Sequence, residues 1–180
     1  PSPSPPLLHS DFAAVCADYT AKFEIPAPLN RHVSRTVAFF PGSTIGNFTP
    51  EAATAFLSRI HSVVGRGGGL LVGVDLKKDL SVLHAAYNDA KGVTAAFNMN
   101  LLSRINRELG ADFDLDAFYH DAVYLDNPGR IEMRLVSARE QFVSVGGKTF
   151  SFSANEYVHT ENSHKFSIEE FREVCANGGF

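Results

Sequence analysis

A short apolar run, broken by a tight turn and followed at once by a capped amphipathic helix, constrains this chain more than any other feature. Val37-Ala38-Phe39-Phe40 is too short for a helix of its own and runs into Pro41-Gly42-Ser43-Thr44-Ile45-Gly46-Asn47-Phe48. Thr49-Pro50-Glu51 then supplies an N-cap residue and a proline at the first helical position. The segment reads as a strand over 35–40, a turn, and a helix from Pro50 to Val64 with Ala52, Ala55, Phe56, Ile60 and Val63 on one face. Ligands of open parallel sheets sit where strands end and helices begin. Ser43, Thr44 and Asn47, with the backbone N–H groups between them, therefore stand where a small polar ligand would be held.

Gly65-Arg66-Gly67-Gly68-Gly69 ends that helix and feeds a second apolar run, Leu70-Leu71-Val72-Gly73-Val74-Asp75. The order strand, helix, strand implies a parallel pair joined by a right-handed crossover. A cofactor or phosphate loop carries its glycines after a strand and before a helix. Here they follow a helix and precede a strand, so they read as a helix stop and a tight connection.

Composition narrows the class. A chain of 180 residues with 44% apolar and 20% charged residues can build a core of ordinary size. A net charge of -4, without any Lys/Arg cluster, argues against a nucleic-acid surface. No apolar run approaches the roughly 20 residues that span a bilayer, and no signal peptide is visible, so no membrane role and a cytoplasmic setting are expected. Cys16 and Cys175 stand alone, and the seven histidines show no metal-ligand spacing, so no metal site is expected. Pro1-Ser2-Pro3-Ser4-Pro5-Pro6 reads as a linker or loop. Asp11 to Cys16 reads as a short helix or a buried strand, and Phe23 to His32 as a connection.

Beyond Asp79 the texture changes. A helix is expected around Leu101–Leu109, then strands over 131–137, 141–145 and 148–152, with Gly146-Gly147 as a two-residue hairpin turn. Ser153 to His159 continues in extended form, and Ser167 with Glu170 opens a helix through a capping box that stops at Gly178-Gly179. Phe97, Phe113, Phe118 and Tyr119 are the expected core of this second region. Asn98 and Asn100 suit either a polar pocket or capping, and Asp75 either a site or a turn cap. If Thr160-Glu161-Asn162-Ser163-His164-Lys165-Phe166 is extended, Glu161 and Ser163 point to one face. A carboxylate beside a hydroxyl suits a ligand with one N–H donor and one ring-nitrogen acceptor, and imidazole has both. The alternative is a solvated glutamate and a serine at a helix start.

Five blocks together carry a resemblance: Phe39–Phe48; Val74-Asp75-Leu76-Lys77-Lys78-Asp79; Ala86-Tyr87-Asn88-Asp89 with Gly92-Val93-Thr94-Ala95-Ala96-Phe97-Asn98; Ile131-Glu132-Met133; and Thr160–Phe166. In this order the chain resembles the histidine-specific Nα-methyltransferase family, whose best-known member trimethylates the α-amine of L-histidine in ergothioneine biosynthesis. The resemblance implies S-adenosyl-L-methionine as cofactor and L-histidine as substrate. It implies that Asn47 and Tyr87 bind the amino-acid end, with Gly42 and Thr44 lining the same turn. It implies that Glu161 and Ser163 recognise the imidazole and that Met133 packs beside it. Asp18, Tyr19 and Ser43 fall where cofactor is bound. Tyr87 is also the candidate acceptor of the amine proton, with anchoring as the alternative.

The implied fold is α/β: a partial Rossmann-like class I methyltransferase core with an inserted α+β substrate-binding domain. Residues 1–79 would belong to the core, 80–165 to the insert and 166–180 to a return helix. The usual first strand with its Gly-rich cofactor loop has no match here, nor do the closing strands, so the chain reads as an interior piece of a longer enzyme. The Pro/Ser-rich start is compatible with fusion to further enzyme domains. Two other readings stand beside this one: a relative that methylates another amino acid, such as a prenylated tryptophan, and a non-catalytic amino-acid-binding piece. Indole offers one N–H and no ring acceptor, so Glu161 with Ser163 favours histidine.

Overall fold

Local chemistry sets the first unit of the chain. In the computed structural model, which describes residues 12–21, 26 and 33–180, Val37–Phe40 forms strand β1. Thr44–Asn47 makes a single 3-10 turn, and helix α1 spans Pro50–Val64. The Thr49 hydroxyl accepts the Ala52 amide, which satisfies one of the free N–H groups at the helix start. Gly65 caps the other end, and β2 follows over Gly69–Val72. β1 and β2 pair in parallel, with Val37 opposite Gly69 and Phe40 opposite Val72.

The buried face of α1 is rotated from the one the sequence suggests. Ala53, Phe56, Leu57 and Val64 are buried, whereas Ala52, Ala55 and Val63 are exposed. Residues 53, 56, 57, 60 and 64 form the inward stripe because Ile45, Phe166 and Phe171 lie on that side. The stretch from Phe12 to Asp18 holds neither the helix nor the buried strand expected there, and its residues are exposed. Residues 1–6 and Asp11 lie outside the described residues, as does most of 23–32.

The second region opens with two helices, α2 over Leu80–Tyr87 and α3 over Val93–Leu109. Asp79 caps α2 by accepting the Ser81 amide, and Asp89, four residues before α3, accepts the amides of Val93 and Thr94. Those backbone bonds hold the Asp89 carboxyl down at about 2. Three strands follow as an antiparallel sheet in the order β3-β4-β7: β3 Phe118–Leu125, β4 Arg130–Ser137 and β7 Tyr157–His164. A hairpin of β5, Gln141–Val145, and β6, Lys148–Phe152, closes through Gly146-Gly147. Between the hairpin and β7 the chain turns at residues 154–155 rather than running extended from Ser153. Helix α4, Ile168–Asn177, carries the capping box: Glu170 N–H donates to Ser167 Oγ at 3.1 Å and Ser167 N–H donates to Glu170 Oε2 at 2.7 Å.

Three apolar clusters hold these elements. One lies under the 3-10 turn, between α1 and α4. A second joins Leu83 of α2 to Ala122, Ile131 and Met133 of the sheet, and a third joins Leu102 of α3 to Phe118, Leu135 and Val143. Phe113 and Phe118 meet edge to face in the third cluster, but Phe97 and Tyr119 are exposed and form no part of it. Tyr119 opposes Val136 on the sheet face away from the helices, and Phe97 of α3 is 67% exposed.

Candidate functional site

A one-residue irregularity in the antiparallel sheet decides which side chains face the helices. Met133 pairs with Glu161 but its neighbour Arg134 pairs with His159, so Thr160 is an extra residue in β7. Its hydroxyl donates to the Met133 carbonyl at 3.0 Å. On one side of this bulge Tyr157 opposes Val136 and lies on the far face, where the Arg134 guanidinium sits 4.2 Å from its ring centre. On the other side Glu161 and Ser163 oppose Met133 and Ile131, and so share the helix-covered face with Tyr87. Without the extra residue, alternation would place 157 and 161 on the same face.

Tyr87, the last residue of α2, meets Ser163 there with 2.8 Å between the two hydroxyl oxygens. Lys165 completes the group. Its Nζ donates to Tyr87 Oη at 2.8 Å and to Ser163 Oγ at 2.7 Å, and lies 3.0 Å from Asp75 Oδ2. The Lys165 side chain is 1% exposed, so its charge is desolvated and needs all three oxygens. Partial burial pushes the Asp75 carboxyl up, but bonds from Lys78 and Lys165 outweigh that and hold it below its ordinary value. Asp75 is therefore more than a turn cap. Sequence reading missed Lys165; its signal was a lysine two residues beyond Ser163 in a strand, hence on the same side.

Glu161 is half-buried and lines a cleft of about 220 Å³ with Phe97, Asn98, Leu101 and Arg104 of α3 and with Thr160. Asn98 is structural: its amide donates to the Arg134 carbonyl and bonds His120 Nδ1, both at 3.0 Å. Asn100 lines the same cleft. Behind the sheet, buried Glu132 bridges Arg130 at 2.5 Å and Arg134 at 2.7 Å, which lower its carboxyl pKa in that order. A larger hollow of about 700 Å³ lies between α1 and α4, where His164 and Lys165 border it, and it contains none of the nominated residues.

The 3-10 turn abuts the end of β7. His164 Nδ1 bonds the Gly46 carbonyl at 2.9 Å, and a Cβ on Gly46 would stand 2.9 Å from the His164 carbonyl oxygen. Only glycine fits that approach. Gly42 and Ser43 both have positive φ, 76° and 58°, which folds the chain back at the end of β1. Ser43 Oγ accepts the Asp75 amide at 2.8 Å, tying the turn to the end of β2. Thr44 is half-buried, and Asn47 is exposed at the end of the turn. Asp18 and Tyr19 lie beside this unit: Asp18 accepts from the Thr20 hydroxyl and amide, which lower its carboxyl pKa, and the Tyr19 ring contacts Phe40 and Phe56.

Among the described residues no group of three His, Cys, Asp or Glu side chains could hold a metal, and no helix is long and apolar enough to cross a membrane. Residues 6–180 match the family described as histidine-specific methyltransferase, SAM-dependent. The chain is 45% identical over 169 residues to histidine N-alpha-methyltransferase of Mycolicibacterium smegmatis, covering 92% of this chain and 51% of that protein. It is 46% identical over 156 residues to histidine N-alpha-methyltransferase of Mycobacterium tuberculosis, covering 85% and 47%. It is 28% identical over 148 residues to ergothioneine biosynthesis protein 1 of Schizosaccharomyces pombe, covering 82% and 19%. The chain thus spans about half the length of the bacterial relatives it matches. A match running from residue 6 to residue 180, over the strand-end turn and the β7 face alike, makes this chain a member of the histidine-specific, SAM-dependent methyltransferase family.

Proposed function

We propose that the protein carrying this chain methylates the α-amine of L-histidine, yielding hercynine for ergothioneine biosynthesis. The observation that carries this reading is the pair Glu161 and Ser163 on one face of β7, Glu161 opposite Met133 and Ser163 bonded to Tyr87. A carboxylate accepts the ring N–H, and a hydroxyl donates to the other ring nitrogen. Asn47 and Tyr87 hold the amino-acid end, with Gly42 and Thr44 shaping the turn. In this reading the unit from β1 to β2 is part of a Rossmann-like core, residues 80–165 form an inserted substrate domain, and α4 returns to the core.

When bound, S-adenosyl-L-methionine supplies an electrophilic methyl group. A Cβ at Gly42 would meet nothing closer than Thr44 Oγ1 at 3.9 Å, so the strand-end turn leaves space beside its backbone. Asp18, Tyr19 and Ser43 are the residues we assign to the cofactor. This chain's own contribution is orientation of the amine, an effect that reaches roughly 7–11 kcal/mol in well-organised sites. The amine must lose a proton before it can attack. Tyr87 is the phenol nearest that task, but with its oxygen already held by Ser163 and Lys165 the geometry favours anchoring. Fusion to further enzyme domains and a cytoplasmic setting belong to the same reading.

Calorimetric titration of L-histidine, then L-tryptophan, with and without S-adenosylhomocysteine, tests it. Histidine-selective binding strengthened by the cofactor product is expected. Equal or absent binding of both amino acids to the folded, full-length protein would overturn it.

A further inference from the structure

The Tyr87–Ser163–Lys165 cluster has a fixed proton count. Lys165 has three N–H donors and faces three oxygens, those of Asp75, Tyr87 and Ser163, at 2.7–3.0 Å. An ammonium accepts nothing, so both hydroxyl oxygens must accept from it. The two hydroxyls also bond each other at 2.8 Å, which consumes one of their two protons. The phenol is the more acidic partner and so the better donor to the aliphatic hydroxyl. Ser163 Oγ then accepts from both Tyr87 and Lys165, its lone pairs are filled, and its own proton is left to point at a ligand.

We infer that Lys165 is a positioning residue that makes Ser163 a donor only, so that the site takes an imidazole in its neutral form and rejects the imidazolium. This rests on the histidine reading above. Glu161, two residues earlier on the same face, accepts the one N–H that a neutral imidazole carries. A protonated ring carries two N–H groups. It would set the second against the Ser163 hydroxyl proton, close to the buried ammonium.

The charged and titratable groups around this cluster come from every neighbouring element. Asp75 and Lys78 follow β2, with Lys78 Nζ bonded to Asp75 at 2.5 Å. His120 of β3 bonds the Tyr87 carbonyl through Nε2 at 2.8 Å. Arg104 of α3 lines the cleft with Glu161, and His164 adjoins Lys165 with its ring turned to Gly46.

The test is calorimetric binding of L-histidine to the full-length protein with S-adenosylhomocysteine present, between pH 7.5 and 5.0. A histidine side chain in a peptide titrates near ~6.5, and the α-ammonium of the free amino acid lowers its ring to ~6, so affinity should fall about tenfold across this span. The analogue 1,2,4-triazole-3-alanine keeps an N–H and an unprotonated nitrogen throughout, and its affinity should stay level. Lys165→Met, checked for folding by its thermal melt, should cut the acid loss for histidine to below about threefold. Level histidine affinity in the unaltered protein, a parallel loss for the triazole, or an unchanged tenfold loss in a folded K165M protein would each overturn the inference. Ser163→Ala separates the two readings. Undiminished histidine binding in S163A removes the histidine site itself, whereas weakened binding with an unchanged K165M profile removes only the role of Lys165. If K165M does not fold, the histidine–triazole comparison decides alone.

Discussion

At the scale of single residues, buried charge is the organising fact. Glu132, Asp75 and Lys165 are each held by at least two partners, because an ion taken out of water costs several kcal/mol unless opposed. Glu132→Ala leaves Arg130 and Arg134, both mostly buried, facing each other without a counter-charge. Urea unfolding should show a loss of about 3 kcal/mol. Glu161 is different, since among the described residues it makes no ion pair, which leaves its carboxylate available to a ligand. Glu161→Ala in the full-length protein should weaken histidine binding by about 1–3 kcal/mol through loss of a charge-assisted hydrogen bond, measured by calorimetry. Unchanged affinity would remove Glu161 from the site. That Glu161 and Ser163 share a face was legible from their spacing. That Lys165 is buried under them was not, because lysine is ordinarily solvated and only the assembled oxygens of Asp75, Tyr87 and Ser163 offset its desolvation.

At the scale of elements, the ends of helices carry the local signals. Ser167→Ala removes one half of the α4 capping box and should cost about 1 kcal/mol, read from the thermal unfolding midpoint. Asp89 grips the first amides of α3. Its folded pKa is depressed to about 2, so its contribution is present above the unfolded value near ~3.9 and is lost as pH falls through about 2. An NMR titration should find the Asp89 carboxyl midpoint near that value, and a midpoint near the ordinary one would mean that the α3 cap is not formed. The capping box, the Thr49 cap and the Gly146-Gly147 turn were all readable, since each acts within four residues. α2 and β3 went unread: α2 has only Leu83 buried, and β3 alternates weakly because its far face is half-covered by the Glu132–Arg network and its neighbours.

At the scale of the whole molecule, the parallel pair and the antiparallel sheet meet directly. Among the described residues their contacts include the turn against β7 at Gly46 and His164, the Asp75–Lys165 ion pair, and the backbone bridge of Leu76 with Phe166. Gly46→Ala would press a methyl against the His164 backbone, which cannot swing aside as a side chain can. A loss of about 1–3 kcal/mol in denaturant unfolding is expected, with weakened histidine binding because the turn and the β7 face shift together. Full stability in G46A would show that the two units do not close as tightly as described. The sequence by itself determined the β1–turn–α1–β2 order, the hairpin, the caps of α1 and α4, and the polar residues available at the strand end. These follow from turn chemistry, capping and short apolar periodicity, which act over a few neighbours. Only the tertiary structure decided which stripe of α1 faces inward, where Thr160 bulges, and how Asp75, Tyr87, Ser163 and Lys165 come together. Each depends on partners far away in sequence, and no local preference encodes a contact between residues 75 and 165.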